Sequence, residues 1–296
     1  MNPQRLYLGL SNIRSLTLLE LAVTDGLAGL DIAPHYAQGD ALRWITDRTH
    51  WTNLPEQTEI LLKVGFPAEG LKPEFSFRPE RLDGELRSIV AQLRPSWKVY
   101  GLLHNPELGL AELDSKRLER RWLKERFSML NSLSREGVLT GFGIAVSYLL
   151  SEVRDHRRLD PDEILDEALS WEKFGRVEVP LSLTRSRWLV DACNGRGLAR
   201  RLAGTDVRAV GRSIFEGGLV FDSEMDELTR LFGGESVAQA LIGALNSIPV
   251  GLRPDLVVST TNATHLAELL HTTRIGGSKQ SLSNLRDLVN ALRWPG

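Results

Sequence analysis

Four residues of this chain have side chains suited to moving a proton: Asp31, Tyr36, Lys63 and His104. Asp31 follows a short apolar run within Leu27–Tyr36, and Tyr36 comes five residues later. Lys63 interrupts the apolar run Glu59–Phe66, and His104 closes the apolar run Val99–His104. Taken singly, each has a structural reading. Lys63 fits an edge strand reaching solvent, His104 a satisfied strand-end histidine, and Asp31 with Lys63 a plain ion pair. Taken together they describe a proton-transfer set. A free tyrosine has a pKa of ~10 and is a poor donor near neutrality. A nearby ammonium favours the phenolate, so Lys63 is expected to bring Tyr36 down toward useful general-acid strength. Asp31 would hold the lysine, and His104 would orient and polarise a carbonyl oxygen. Such a set protonates an oxyanion as a hydride reaches the adjacent carbon, or runs in reverse on an alcohol. Side chains have no hydride to give, so the set implies a cofactor.

The elements that position these residues read as alternating strands and helices. Strand patterns cover Leu6–Leu10, the first part of Leu27–Tyr36 with Asp31 at its carboxyl end, Glu59–Phe66, Val99–His104, Gly141–Ser147, Arg176–Leu183, Val207–Val210 and Leu256–Ser259. Helical spacing covers Ser15–Gly26, Gly39–Thr46, Pro79–Leu93, Asp114–Arg135, Asp160–Phe174, Ser186–Leu202, Gly234–Ser247, Thr264–His271 and a closing Leu282–Leu292. In Pro79–Leu93 the inner face is Leu82, Leu86, Ile89, Val90 and Leu93. In Asp114–Arg135 the basic run from Lys116 to Arg126 reads as a solvated face, with Leu113, Leu118, Trp122 and Met129 inward. Some eight βα units without a linker call for a single closed parallel barrel, (β/α)8, over residues 1–296 with a helix at its C-terminus. Two doubly wound domains would want a Gly-rich phosphate loop, and Gly141–Ser147 matches that fingerprint poorly. In a barrel, Asp31, Lys63 and His104 end neighbouring strands and Tyr36 lies in the loop above, so all four meet at one mouth.

Composition narrows the function classes. A formal net charge of -2 argues against nucleic acid and against anionic membrane as partners. No apolar segment approaches the ~20 residues needed to cross a bilayer, and the amino-terminal residues lack the apolar core of a signal peptide. The one cysteine, Cys193, fits a reducing compartment and has no activating motif around it. The expectation is a cytoplasmic protein acting on a small molecule, with no metal; the oligomeric state is not readable.

The motifs resemble those of the aldo-keto reductase family over nearly the whole chain. Asp-Ile-Ala-Pro-His-Tyr is similar to the family's Asp-Thr-Ala-x-x-Tyr, Leu-Leu-Lys-Val-Gly to its lysine strand, and Leu-Leu-His-Asn-Pro to its histidine strand. Gly-Phe-Gly-Ile-Ala-Val-Ser resembles its Ile-Gly-Val-Ser-Asn segment. Val-Glu-Val-Pro-Leu-Ser-Leu resembles the strand that carries a nicotinamide-contacting glutamine, and Arg-Ser-Ile-Phe-Glu-Gly-Gly-Leu a loop that closes over the cofactor's diphosphate. The resemblance implies a nicotinamide-dependent oxidoreductase acting on an aldehyde, ketone or sugar-like carbonyl, or the matching alcohol. Asp31, Tyr36, Lys63 and His104 would form the catalytic tetrad. Asn12, Ser147, Glu178, Arg212, Ser213, Phe215, Ser259, Thr260, Asn262 and His265 would line the site for NADP(H), or alternatively NAD(H).

The departures from the family pattern are Tyr148 for an asparagine, Glu178 for the glutamine, Arg212 for a stacking aromatic, and Ala41 for a common glutamate. Ser259-Thr260 and His265 stand where Lys-Ser and Arg grip the 2′-phosphate, which weakens the case for strict NADP preference. None of these departures is expected to touch the tetrad. The alternative is a barrel of this type that acts as a non-catalytic binding or regulatory protein. Substrate choice is assigned to the loops Ala37–Pro55, Pro106–Ser115 and Ile275–Gln280, with Trp44 and Trp51 as candidate walls.

Overall fold

β3 (Glu59–Val64) shows how the chain divides its side chains between two cores. All six of its residues are buried, as in a strand covered on both faces. Ile60, Leu62 and Val64 join the large apolar cluster shared with the helices. Leu61 joins Tyr7, Leu102, Ala145, Val210 and Val257 in a smaller cluster inside the barrel. With a side-chain period of two, Glu59 and Lys63 share the inner face with Leu61, one at each end of the strand.

The computed structural model describes residues 4–12, 18, 27–49, 55–66, 76–146, 161–183, 187–215, 226–234, 236–272 and 279–291. Apart from Leu18, the helix expected at 15–26 lies outside them, as do Trp51, Ser147 and Tyr148. β1 (Leu6–Gly9), β2 (Gly29–Ile32), β3, β4 (Lys98–His104), β5 (Gly141–Ala145), β6 (Phe174–Pro180), β7 (Arg208–Arg212) and β8 (Asp255–Val258) pair in sequence order to form a closed barrel. Neighbours are parallel, and β8 closes on β1 with Leu8 opposite Val258. Helices intervene along the chain and the last is Lys279–Ala291, giving the expected (β/α)8 architecture. Gly29 opens β2 because it must: a Cβ there would lie 1.9 Å from the Glu59 carbonyl oxygen. Among the described residues, no helix is long and apolar enough to cross a membrane.

Several elements differ from their expected form. The helix expected over Ser186–Leu202 is two, Arg187–Cys193 and Gly197–Leu202. At their junction Gly195 (φ 62°) and Gly197 (φ 57°), the first residue of the second helix, take left-handed backbone that a continuous helix cannot contain. The helix expected to reach Phe174 ends at Leu169, because Phe174 already begins β6. The short helices Glu107–Leu110 and Asp226–Phe232 were not foreseen. In Lys116–Arg135 the inward face is Trp122, Leu123, Phe127 and Leu130, while Leu118 is exposed. Arg126 is not on a solvated face. It is buried, its guanidinium stacks 4.2 Å from the Trp122 ring, and it donates to the Phe77 and Trp122 carbonyls, each at 3.0 Å. Its long stem lets an apolar position carry a charge.

The amino ends of the strands form a polar floor. Glu59 accepts from Tyr7 Oη and from Arg176 on β6, both at 2.9 Å, and pairs with Arg5. The Arg176 guanidinium lies 3.8 Å from the centroid of the Tyr100 ring. Arg208 meets Asp255 at 3.0 Å.

Candidate active site

At the opposite, carboxyl end of the strands Asp31, Tyr36, Lys63 and His104 come together. Asp31 is the third residue of β2, Lys63 the fifth of β3, and His104 the last of β4. Lys63 Nζ donates to Asp31 Oδ2 at 2.9 Å and to Tyr36 Oη at 3.2 Å. The Tyr36 and His104 rings meet edge to face, with centroids 6.2 Å apart. His35 and Phe66 complete an aromatic wall: His35 stacks on Phe66 at 4.8 Å and on His104 at 5.5 Å. Sequence reading gave neither His35 nor Phe66 a role, although each lies inside a run it singled out.

The backbone bends sharply just beyond these residues. Among the described residues, the non-glycine positions with positive φ are Ala37 (48°), Gln38 (58°), Asn105 (52°) and Ser213 (58°). Each lies one or two positions after Tyr36, His104 or Arg212. After Lys63 the same turn is made by Gly65 (φ 89°), where a Cβ would lie 2.6 Å from the Phe77 ring. Left-handed backbone at a non-glycine residue costs of order 1–3 kcal/mol and clusters at functional sites. Here it marks the rim that carries the cluster.

The electrostatics differ from expectation at Lys63. The structure brings Glu178 of β6 into the tetrad: its Oε1 lies 2.6 Å from Lys63 Nζ and 3.1 Å from Arg212 Nε. A departure expected to leave the tetrad untouched therefore contacts its lysine. Glu178 is fully buried and Lys63 is 1% exposed. Burial works against the Lys63 charge, but Asp31 and Glu178 outweigh it and hold the ammonium above its ordinary range. Asp31 is itself pushed up to about 7, by burial first and by Glu178 second, with Lys63 opposing. Both partners of one ion pair shift upward because the lysine faces two carboxylates, while Asp31 is buried and also faces Glu178. Tyr36 is pushed up to about 12, not down. Burial is the largest cause, Lys63 opposes it, and Asp31 and Glu178 reinforce it. His104 is pressed down to about 2 by burial, Lys63, His35 and Arg212, so its imidazole is neutral. Among the described residues Asp31 Oδ1, His104 Nδ1 and Glu178 Oε2 are buried without a hydrogen-bond partner.

The remaining expected residues lie on three segments. Arg212 ends β7, donates to the Val146 carbonyl at 3.1 Å and to Ser213 Oγ at 3.2 Å, and has a side chain 21% exposed. Phe215 is half-buried just beyond. After β8, Ser259 Oγ donates to the Gly9 carbonyl at 2.7 Å, which ties this loop to the end of β1. Thr260 Oγ1 accepts from the Asn262 amide at 3.0 Å, and Asn262 Oδ1 accepts from the Thr264 amide at 2.8 Å. Thr260 and Asn262 thus shape the entry to the helix Ala263–Thr272. His265 is exposed on its first turn. Asn12 closes a short 3-10 turn after β1; Ser147 lies outside the described residues. Cys193 is buried, and burial pushes its thiol up to about 12, away from nucleophilic use.

The barrel is similar to those of solved aldo-keto reductases. A putative 2,5-diketo-D-gluconic acid reductase B is 17% identical, with a TM-score of 0.68 over 97% of this chain and 88% of that one. The holo form of aldo-keto reductase AKR11C1 from Bacillus halodurans is 13% identical, with a TM-score of 0.66 over 100% and 94%. An aldo/keto reductase from Klebsiella pneumoniae, solved with NADP and acetate, is 18% identical, with a TM-score of 0.62 over 96% and 90%. No protein-family model matches the sequence, and no curated protein matches it. At these identities the likeness establishes the fold: this chain folds as the aldo-keto reductases do.

Proposed function

We propose that the chain is an NADP(H)-dependent oxidoreductase of the aldo-keto reductase type, moving hydride between a nicotinamide and an aldehyde, ketone or sugar-like carbonyl. The observation that carries this reading is the hydrogen bond of 3.2 Å between Tyr36 Oη and Lys63 Nζ, with Asp31 fixing that lysine at 2.9 Å. A structural ion pair alone gives no reason for a phenol and a neutral imidazole to converge on it at the mouth of the barrel.

The residues fit a nicotinamide at the inner end of the mouth. Arg212 presents a planar, partly exposed guanidinium there, able to stack on a ring and to donate to a carboxamide oxygen. Glu178, buried beneath it, holds the guanidinium in place. At the outer end Ser213, Phe215, Ser259 and Thr260 would flank the diphosphate and ribose, and His265 with the amino terminus of Ala263–Thr272 would face a 2′-phosphate. The NADP held by the Klebsiella pneumoniae neighbour supports that cofactor over NAD(H).

When bound, a reduced nicotinamide supplies the hydride for the carbonyl carbon. The protein's part is played at the oxygen. Neutral His104 donates a hydrogen bond that orients the carbonyl and draws its electrons toward oxygen. Tyr36 gives up its phenolic proton as negative charge develops there, and Lys63 stabilises the phenolate left behind. His35 and Phe66 form an aromatic wall beside His104.

A fluorescence titration with NADPH, then NADH, tests the cofactor half of the reading. NADPH is expected to bind with a changed emission, and more tightly than NADH. A folded sample that binds neither would move the assignment to a non-catalytic barrel.

A further inference from the structure

Lys63 is the common partner of three oxygens. Its Nζ lies 2.6 Å from Glu178, 2.9 Å from Asp31 and 3.2 Å from Tyr36 Oη. The nearest of these is the carboxylate contributed from across the barrel, on a strand that does not pair with β3. The charged and titratable groups facing Tyr36 can be named element by element. They are Asp31 from β2, Lys63 from β3, His104 from β4 and Glu178 from β6, with His35 beside it in the chain. Arg212 of β7 enters through its contact with Glu178. An ammonium next to a phenol lowers its proton affinity, and a carboxylate at comparable range cancels that effect. An amide at position 178 could still accept a hydrogen bond from Lys63, but it would bring no charge. Above neutrality, with Asp31 ionised, the Glu178 carboxylate is therefore the one net negative charge that an amide would remove.

We propose that Glu178 is a positioning residue that, by pairing with Lys63 across the barrel, keeps Tyr36 a proton donor and sets the site to reduce carbonyls rather than oxidise alcohols. The inference rests on the reading of Tyr36 as the acid of a reductase. In reduction, hydride adds to the carbonyl carbon, the π pair moves to oxygen, and that oxygen takes the Tyr36 proton; water then restores the phenol. In oxidation a phenolate must first exist to accept the alcohol proton, and Glu178 disfavours it.

The test reads Tyr36 directly in the cofactor-free protein. Tyrosine is labelled with carbon-13 at the hydroxyl-bearing ring carbon, and the Tyr36 resonance is assigned by its loss in Tyr36→Phe. Wild type is expected to show a phenol up to about pH 10, the value at which an ordinary tyrosine is half ionised. In Glu178→Gln the proton affinity of Tyr36 is expected to fall at least tenfold relative to wild type, so that ionisation begins at lower pH. Glu178→Asp, which keeps the charge, is expected to restore the wild-type behaviour. With an alcohol substrate, the rise of kcat with pH should move to lower pH in Glu178→Gln. Coincident Tyr36 titrations in wild type and Glu178→Gln would overturn the proposal. If Glu178→Gln does not fold, wild type can still overturn the proposal, since a Tyr36 that ionises at or below the ordinary tyrosine value contradicts it. A shift without any turnover on carbonyls would count against the reductase reading while leaving the Glu178–Lys63 coupling in place. Turnover without a shift would remove only this inference.

Discussion

Tyr36 is a phenol held in place by an ammonium whose charge is already shared between two carboxylates. Replacing it with phenylalanine removes one proton and one hydrogen bond and little else. Tyr36→Phe is expected to lower kcat for carbonyl reduction by about 100- to 10,000-fold, the range general acids contribute, while NADPH affinity stays within about twofold. A steady-state assay beside an NADPH titration checks both; a matching loss of affinity would mean the ring mainly builds the pocket. The spacing from Asp31 to Tyr36, the lysine inside an apolar strand and the strand-end histidine were all legible before any coordinates. The role of Glu178 was not. Seen along the chain, it stands in a strand far from Lys63, and only closure of the barrel brings the two within 2.6 Å. Burial of the phenol first, then the Asp31 and Glu178 carboxylates, turn the expected lowering of the Tyr36 pKa into a rise.

At the scale of single elements, hydrophobic period and turn residues located all eight strands, because each buried run is bounded by polar or glycine-rich turns. Helix boundaries were less legible where side-chain pattern and backbone compete. Gly195 and Gly197 divide one apparently continuous amphipathic run, and Arg126 occupies an inward position that its charge disguises. The loop from Ser259 to the helix Ala263–Thr272 commits the Thr260 and Asn262 side chains to its own turns and Ser259 to the Gly9 carbonyl of β1. A 2′-phosphate must then rely on helix amides and on His265. Supplying a fixed cation there, His265→Arg is expected to raise the preference for NADPH over NADH by about tenfold, as one charge-assisted hydrogen bond of ~1.5 kcal/mol would. Parallel titrations with the two nucleotides measure the ratio, and an unchanged ratio would place the phosphate elsewhere.

Across the whole molecule, β3 and β6 are joined twice through the barrel interior, by Glu59–Arg176 at the floor and Lys63–Glu178 at the mouth. The floor pair does structural work. Glu59→Gln leaves Arg176 and Arg5 without their carboxylate and is expected to cost about 3–5 kcal/mol, the range for breaking one side of a buried pair. Burial resists the Glu59 charge, but Arg176, Tyr7 and Arg5 hold its carboxyl below the ordinary value of 4.5. Because the folded state binds that proton more weakly than the unfolded chain, its stabilisation is complete above about pH 4.5 and fades as pH falls through the lower folded value. Urea unfolding of wild type and variant should therefore differ most near neutrality and converge in acid; a constant gap would deny the pairing. The mouth pair is assigned to the proposed chemistry. One measurement tests the central claim most directly: the loss of NADPH absorbance when the wild-type protein meets a panel of aldehydes, ketones and sugars, run beside Tyr36→Phe. The account predicts consumption of NADPH by wild type with at least one carbonyl and near-background consumption by the variant. Equal rates in the two proteins would contradict it.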